Sequence, residues 1–178
     1  HDEIQPLELA FFRWFGVLIA LSPLLFIHRK KIFRIIKEHF VIMMTYALLG
    51  VSGFNTFIYL GLQSTTATNA LLINSSVPIM IIFLGTLIFK QKISKIQIGG
   101  IILSTMGVIF LVLKGDIAKI NTFEFNLGDI WIIVAGFSWA FYSLLLRFKP
   151  KDLHGLEFVA SIVLLGTIVL FLLYVGFG

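Results

Sequence analysis

The side chains able to do chemistry in this sequence are neutral, and they sit inside apolar runs. Residues 63–78 read QSTTATNALLINSSVP and lead straight into IMIIFLGTLIF. Hydroxyls and carboxamides in such a setting do hydrogen-bond recognition. A bilayer offers them no partners, so they must face protein or a wet cavity. At the helical period, Thr45, Ser52, Asn55, Thr56, Tyr59 and Gln63 share an arc of about 100°, and Thr65, Thr68, Asn69, Ser75 and Ser76 one of about 120°. In a third run, Trp131, Ser138 and Tyr142 share a face with Trp139 beside it. A buried indole N–H or phenol O–H needs a partner, so Trp139 and Tyr142 either line a cavity or pack between helices.

Catalytic chemistry is not encoded in these positions. His1, His28, His39 and His154 are all terminal or in loops, and there is no cysteine. Gly136-Phe137-Ser138 lacks the second glycine of a nucleophile elbow. No span carries a His, Asp and Glu cluster for a metal, and no glycine loop is built for phosphate. No enzyme activity, metal or cofactor is expected. Glu8 and Glu157 stand near the ends of their spans, so the sequence offers no mid-span carboxylate for proton coupling.

The elements that position these residues are membrane helices. Hydrophobic residues make up 58% of the 178 and charged residues 13%, about half the charged share of a soluble domain. Mean hydropathy is +1.01. Six apolar runs, 6–27, 40–62, 65–89, 96–113, 127–146 and 156–177, each approach the roughly 20 residues that span a bilayer. The segments between them alternate in charge. Arg29, Lys30, Lys31, Arg34, Lys37, then Lys90, Lys92, Lys95, then Arg147, Lys149, Lys151 fall on one side. Lys114 and Lys119 fall on the other, with Asp2, Glu3, Glu8, Asp116, Glu124 and Asp129. The positive-inside rule makes the basic loops cytoplasmic. The net charge of +5 is thereby read as topology, not as lipid or nucleic-acid recognition.

Several local expectations follow. Spans two and three are joined by a few residues near Gln63–Ser64 and should form an antiparallel hairpin with facing polar stripes. Asn74 lies off that face and is expected to bond a neighbouring helix. Pro78 frees the carbonyl of Asn74, which nearby Ser and Asn groups should satisfy, and the bend is either a static kink or a gating hinge. Gly100, Ser104 and Gly107 predict close helix packing. Arg13, two turns into the first span, is expected to snorkel or to pair with Glu8 or Asp129; a role on a substrate carboxylate is the other reading. PLELAFFRWFGVLIAL (6–21) resembles GLEFVASIVLLGTIVL (155–170), five helices later, so the copies cross in opposite directions, as in inverted-repeat transporters. The chain opens on His-Asp-Glu and closes on YVGFG straight after an apolar run, and is expected to be an internal fragment of a longer chain.

The stretches RWFGVLIAL, GFNTFIYLGLQSTTATNALLINSSVPIMIIFLGTLIFKQKISKIQIGGIILSTMGVIFLVLKGD and LGDIWIIVAGFSWAFYSLLLR resemble the EamA-like domain of the drug/metabolite transporter superfamily. Gln91 departs from the Glu that many relatives place after the proline helix. The resemblance implies an all-α polytopic bundle of ten helices in two inverted five-helix repeats, of which this chain holds helices two to seven. Residues 1–120 would be most of the first repeat and 121–178 the start of the second. It implies an exporter of a small metabolite, and supports Asn55, Tyr59, Asn69, Ser76, Trp139 and Tyr142 as substrate-binding candidates. The neutral side chains suit a neutral or zwitterionic solute moved by alternating access across an inner membrane. The expected partners are that solute and the lipid bilayer. The rival reading is a non-transporting assembly or sensor subunit that binds partner helices.

Overall fold

The computed structural model describes residues 5–113 and 125–177. Lys114, Asp116, Lys119, Glu124, His1, Asp2 and Glu3 lie outside the described residues. The described chain is helical: α1 (Pro6–Ile27), α2 (Arg29–Glu38), α3 (Phe40–Tyr46), a π-helical segment (Ala47–Gly53), α4 (Phe54–Leu62), α5 (Ala67–Asn74), α6 (Val77–Phe89), α7 (Lys95–Leu113), α8 (Leu127–Leu145), one 3-10 turn (Leu146–Phe148) and α9 (Gly155–Phe177). Five stretches are long and apolar enough to cross a membrane: Pro6–Ile27, Phe40–Leu62, Ala67–Phe89, Leu127–Phe148 and Gly155–Gly176. The sixth expected span is α7, whose apolar stretch within the described residues, Lys95–Phe110, is shorter.

Prolines and small polar residues set where the helices start and break. Pro6 opens α1, where its missing N–H costs nothing. Pro23, inside α1, cannot bond the carbonyl of Ile19; the Ser22 hydroxyl donates to that oxygen instead, at 2.7 Å. Pro78 is handled differently from expectation. The helix stops at Asn74, and α6 restarts at Val77 with Pro78 in its first turn. The Ser75 and Ser76 hydroxyls donate to Leu72 O and Ile73 O, each at 2.6 Å, rather than to Asn74. Asn74 itself is exposed and makes no side-chain hydrogen bond among the described residues. Ser94 and Gln97 cap α7 reciprocally, side chain to backbone, at 2.9 and 3.2 Å. The fold closes into two compact units, one of residues up to Tyr59 and from Leu145, the other Leu60–Leu144.

In the first unit α9 is the central helix, with Ala160, Ser161, Val163 and Leu170 buried. α1 lies antiparallel along it. Near the start of α1, Phe11 stacks on Tyr174 at 5.6 Å and 6°. At its other end, His28 and Lys31 meet Glu157 near the start of α9. The two helices that carry the repeated motif therefore run in opposite directions, as an inverted repeat requires. Tyr46 sets its ring edge-on to Phe158 at 5.2 Å and donates its hydroxyl to Leu145 O at 2.5 Å. Lipid gives no hydrophobic drive between helices, so close packing must hold them. Gly166 supplies it: a Cβ there would stand 2.5 Å from Val51 Cγ1.

In the second unit α8 packs on α6 through Leu84, Ala140 and Leu144, with Met80, Ile81, Phe89 and Phe137 around them. The start of α8 crosses the end of α4 where a Cβ on Gly128 would run into Gly61 O and Thr65 N. The small residues of α7 do not make the expected contact. Among the described residues nothing lies within 4 Å of a Cβ placed on Gly99, Gly100 or Gly107. The break at Ser75–Pro78 instead leaves a cavity of about 230 Å³ beside α7, lined by Ser75, Pro78, Gln97, Gly100, Ser104 and Thr105 among others.

Candidate functional site

Polar side chains of the second unit converge on Asp129, which is fully buried. Asn126 and Asp129 form a reciprocal cap at the start of α8: Asn126 N donates to Asp129 Oδ2 at 2.9 Å and Asp129 N to Asn126 Oδ1 at 3.2 Å. The Thr65 hydroxyl donates to Asp129 Oδ1, and Asn69 Nδ2 reaches Oδ2 at 3.4 Å, the long limit of a hydrogen bond. The carboxylate sits in the first turn of α8, where the helix dipole favours negative charge. Across the turn Thr66 caps α5 by accepting from Asn69 N at 3.1 Å. Asp129 thus ties the start of α5 to the start of α8. By sequence alone Asp129 is an outer-side acid and a partner for Arg13. The signal that could have found it is Asn126-x-x-Asp129, a capping spacing that opens an apolar run.

Asn69 is accordingly buried, with its amide turned to Asp129. Ser76 lies at the break between α5 and α6, half-buried, its proton committed to Ile73 O and its oxygen still able to accept. Trp139 and Tyr142 lie together on α8, ring centroids 5.1 Å apart and tilted by 37°. Trp139 is 36% exposed, whereas Ser138 on the same helix is buried. A partly exposed indole beside a half-buried phenol is an amphipathic surface that can lie against a solute ring or chain.

In the first unit the π-helical segment changes which residues align. Its i→i+5 bonding widens the turn, so residues after Gly53 are rotated relative to those before Ala47. The single polar stripe expected from Thr45 onward is therefore divided. Thr45 donates to Val41 O at 2.8 Å, and Ser52 to Ala47 O at 3.2 Å across the wide turn. Asn55 is buried and donates to Val51 O at 2.9 Å. Tyr59 points to α1, where Arg13 Nη1 donates to its hydroxyl at 2.6 Å. Arg13 makes no ion pair among the described residues, so the expected pairing with Glu8 or Asp129 gives way to a neutral partner. The phenol oxygen is within reach of Arg13 across the helix pair. Thr56, one turn before Tyr59, has a buried hydroxyl with no partner among the described residues. No group of three or more metal-ligating side chains occurs among the described residues.

Residues 1–113 match the model of the EamA-like transporter family. The chain belongs to that family. Among its EamA relatives, an uncharacterized transporter of Archaeoglobus fulgidus is 30% identical, covering 99% of this chain and 60% of its own length. The uncharacterized transporter YyaM of Bacillus subtilis is 27% identical over 86% of this chain and 51% of its own. The WAT1-related chloroplastic protein At3g02690 of Arabidopsis thaliana is 27% identical over 60% of this chain and 26% of its own. The chain spans about half the length of the curated relatives it matches. No solved structure matches it. This EamA chain is a multi-pass membrane protein of a transporter family.

Proposed function

We propose that the full-length protein is a permease that exports a small neutral or zwitterionic metabolite by alternating access, across an inner membrane with the basic loops cytoplasmic. On this reading residues 1–120 are most of a first five-helix repeat and 121–178 open the second. The observation that carries it is a set of donors without an acid. Arg13 spends one N–H on Tyr59, whose own proton is then available, and Thr56 offers a buried hydroxyl one turn away. A charge within a span must be compensated, and the described residues supply no carboxylate for it. A solute carboxylate fits these donors. Asn55 in the first unit, and Asn69, Ser76, Trp139 and Tyr142 in the second, are the further side chains proposed to contact solute, each within its own unit.

The test is uptake into proteoliposomes by the full-length protein, comparing amino acids with their amides and the matching amines. Amino acids should move fastest, and Tyr59→Phe with Thr56→Val should raise KM several-fold with kcat nearly kept. If none of these solutes moves while partner helices are captured from the membrane, the protein is a non-transporting subunit.

A further inference from the structure

α2 is short, strongly two-sided and held at the membrane surface. α1 ends at Ile27 and α3 begins at Phe40, so the ten residues of α2, set between two spanning stretches, lie at headgroup level. Ile32, Ile35 and Ile36 are buried in the first unit. Glu157 engages Lys31 and His28, at 2.6 and 2.9 Å, and Arg34 is 3.9 Å from Glu38. Arg29, Lys30 and Lys37 are exposed and have no partner among the described residues. At the bend from α1 into α2 lies an open cavity of about 490 Å³, lined by Phe26, Ile27, His28, Arg29, Lys30 and Lys31. Phe26 is 71% and Ile27 76% exposed. Two bare cations therefore sit directly beside two bare apolar side chains, at the depth where a phospholipid changes from headgroup to chain.

We propose that this bend is a binding site for an anionic phospholipid, with its phosphate held by Arg29 and Lys30 and its upper acyl chain laid on Phe26 and Ile27. A soluble anion would use the cations and leave the apolar pair bare; a zwitterionic lipid would use the apolar pair and bring a choline or amine against the cations. The combination selects a lipid of net negative charge. Near a membrane each basic residue strengthens anionic-lipid association about fivefold, so two give a preference on the order of twentyfold when fully expressed.

The experiment uses the full-length protein in phosphatidylcholine vesicles with spin-labelled phosphatidylglycerol or spin-labelled phosphatidylcholine, and reads the motionally restricted fraction of each. The expected result is a preference for phosphatidylglycerol of at least fivefold. R29Q/K30Q should bring it close to one, and F26S/I27S should reduce it at least twofold. Sodium chloride at about 1 M, where the screening length is about 3 Å, should abolish it in the unmodified protein, which tests the claim even where a variant fails to insert. Equal restriction of both lipids overturns the proposal, as does a preference untouched by R29Q/K30Q and by salt. Displacement of phosphatidylglycerol by inorganic phosphate at about 10 mM, or full retention in F26S/I27S, makes this a soluble-anion or diffuse electrostatic surface and equally overturns it.

Discussion

Replacing Glu157 by Gln should destabilise the first unit by about 2 kcal/mol, most of it through Lys31. Glu157 is 4% exposed and accepts from Lys31 Nζ at 2.6 Å, from His154 N at 3.0 Å, and meets His28 Nδ1 at 2.9 Å. Gln keeps the shape and one carbonyl oxygen, so the bond from His154 N is retained. It loses the charge. A hydrogen bond to a charged group contributes about 1.5–3 kcal/mol, and Lys31, with a side chain 32% exposed, belongs at the low end. His28, at 36%, contributes like a surface pair, about 0.5 kcal/mol. The assay is equilibrium unfolding in mixed micelles, run as a double-mutant cycle with Lys31→Met. A coupling near 1.5 kcal/mol is expected. A coupling within about 0.5 kcal/mol of zero, the range in which independent sites add, would refute the reasoning.

Asp129→Ala removes the acceptor for Thr65, Asn69 and Asn126 N together, so a loss of about 2–4 kcal/mol is expected in the same assay, with Asp129→Asn costing less. Gly128→Ala puts a methyl against the backbone of Gly61 and Thr65, which cannot turn aside, and should cost about 1–3 kcal/mol. Ser22→Ala leaves the Ile19 carbonyl without the donor that replaces Pro23, and should cost about 0.6 kcal/mol, near the mean for such bonds in membrane helices.

The fold was legible where the signal was long and repeated. Of the six spans that hydropathy predicts, five are long and apolar enough to cross a membrane among the described residues, and the Leu-Glu openings at 7–8 and 156–157 match helices α1 and α9 that run in opposite directions. Local backbone events were not legible. Angular faces in the second span assumed a constant 100° per residue, and the π-helical turn at Ala47–Gly53 breaks that assumption; the only hint was the run of small residues Gly50, Ser52 and Gly53. Pro78 was visible as a bend, but whether a helix kinks or restarts depends on what Ser75 and Ser76 bond. The small residues of α7 read as a packing seam because spacing does not say which neighbour is present, whereas Gly61, Gly128 and Gly166, the positions of closest approach, carry no spacing signature. Of the candidate side chains, Asn55 donates one N–H to Val51 O and Asn69 one to Asp129, bonds that no helical wheel could reveal. Tyr59 turns to α1 rather than to the third span, and its bond to Arg13 needed coordinates to be seen.

The most direct test of a solute path is labelling of single cysteines in the full-length protein with a membrane-impermeant maleimide. Cysteines at Tyr59 and Ser76 should react, and a transported solute should slow both; one at Leu172, 64% exposed on α9, should stay unreactive in lipid. Protection of Tyr59 and Ser76 whether or not solute is present, or reaction at Leu172 at the same rate, would contradict the account.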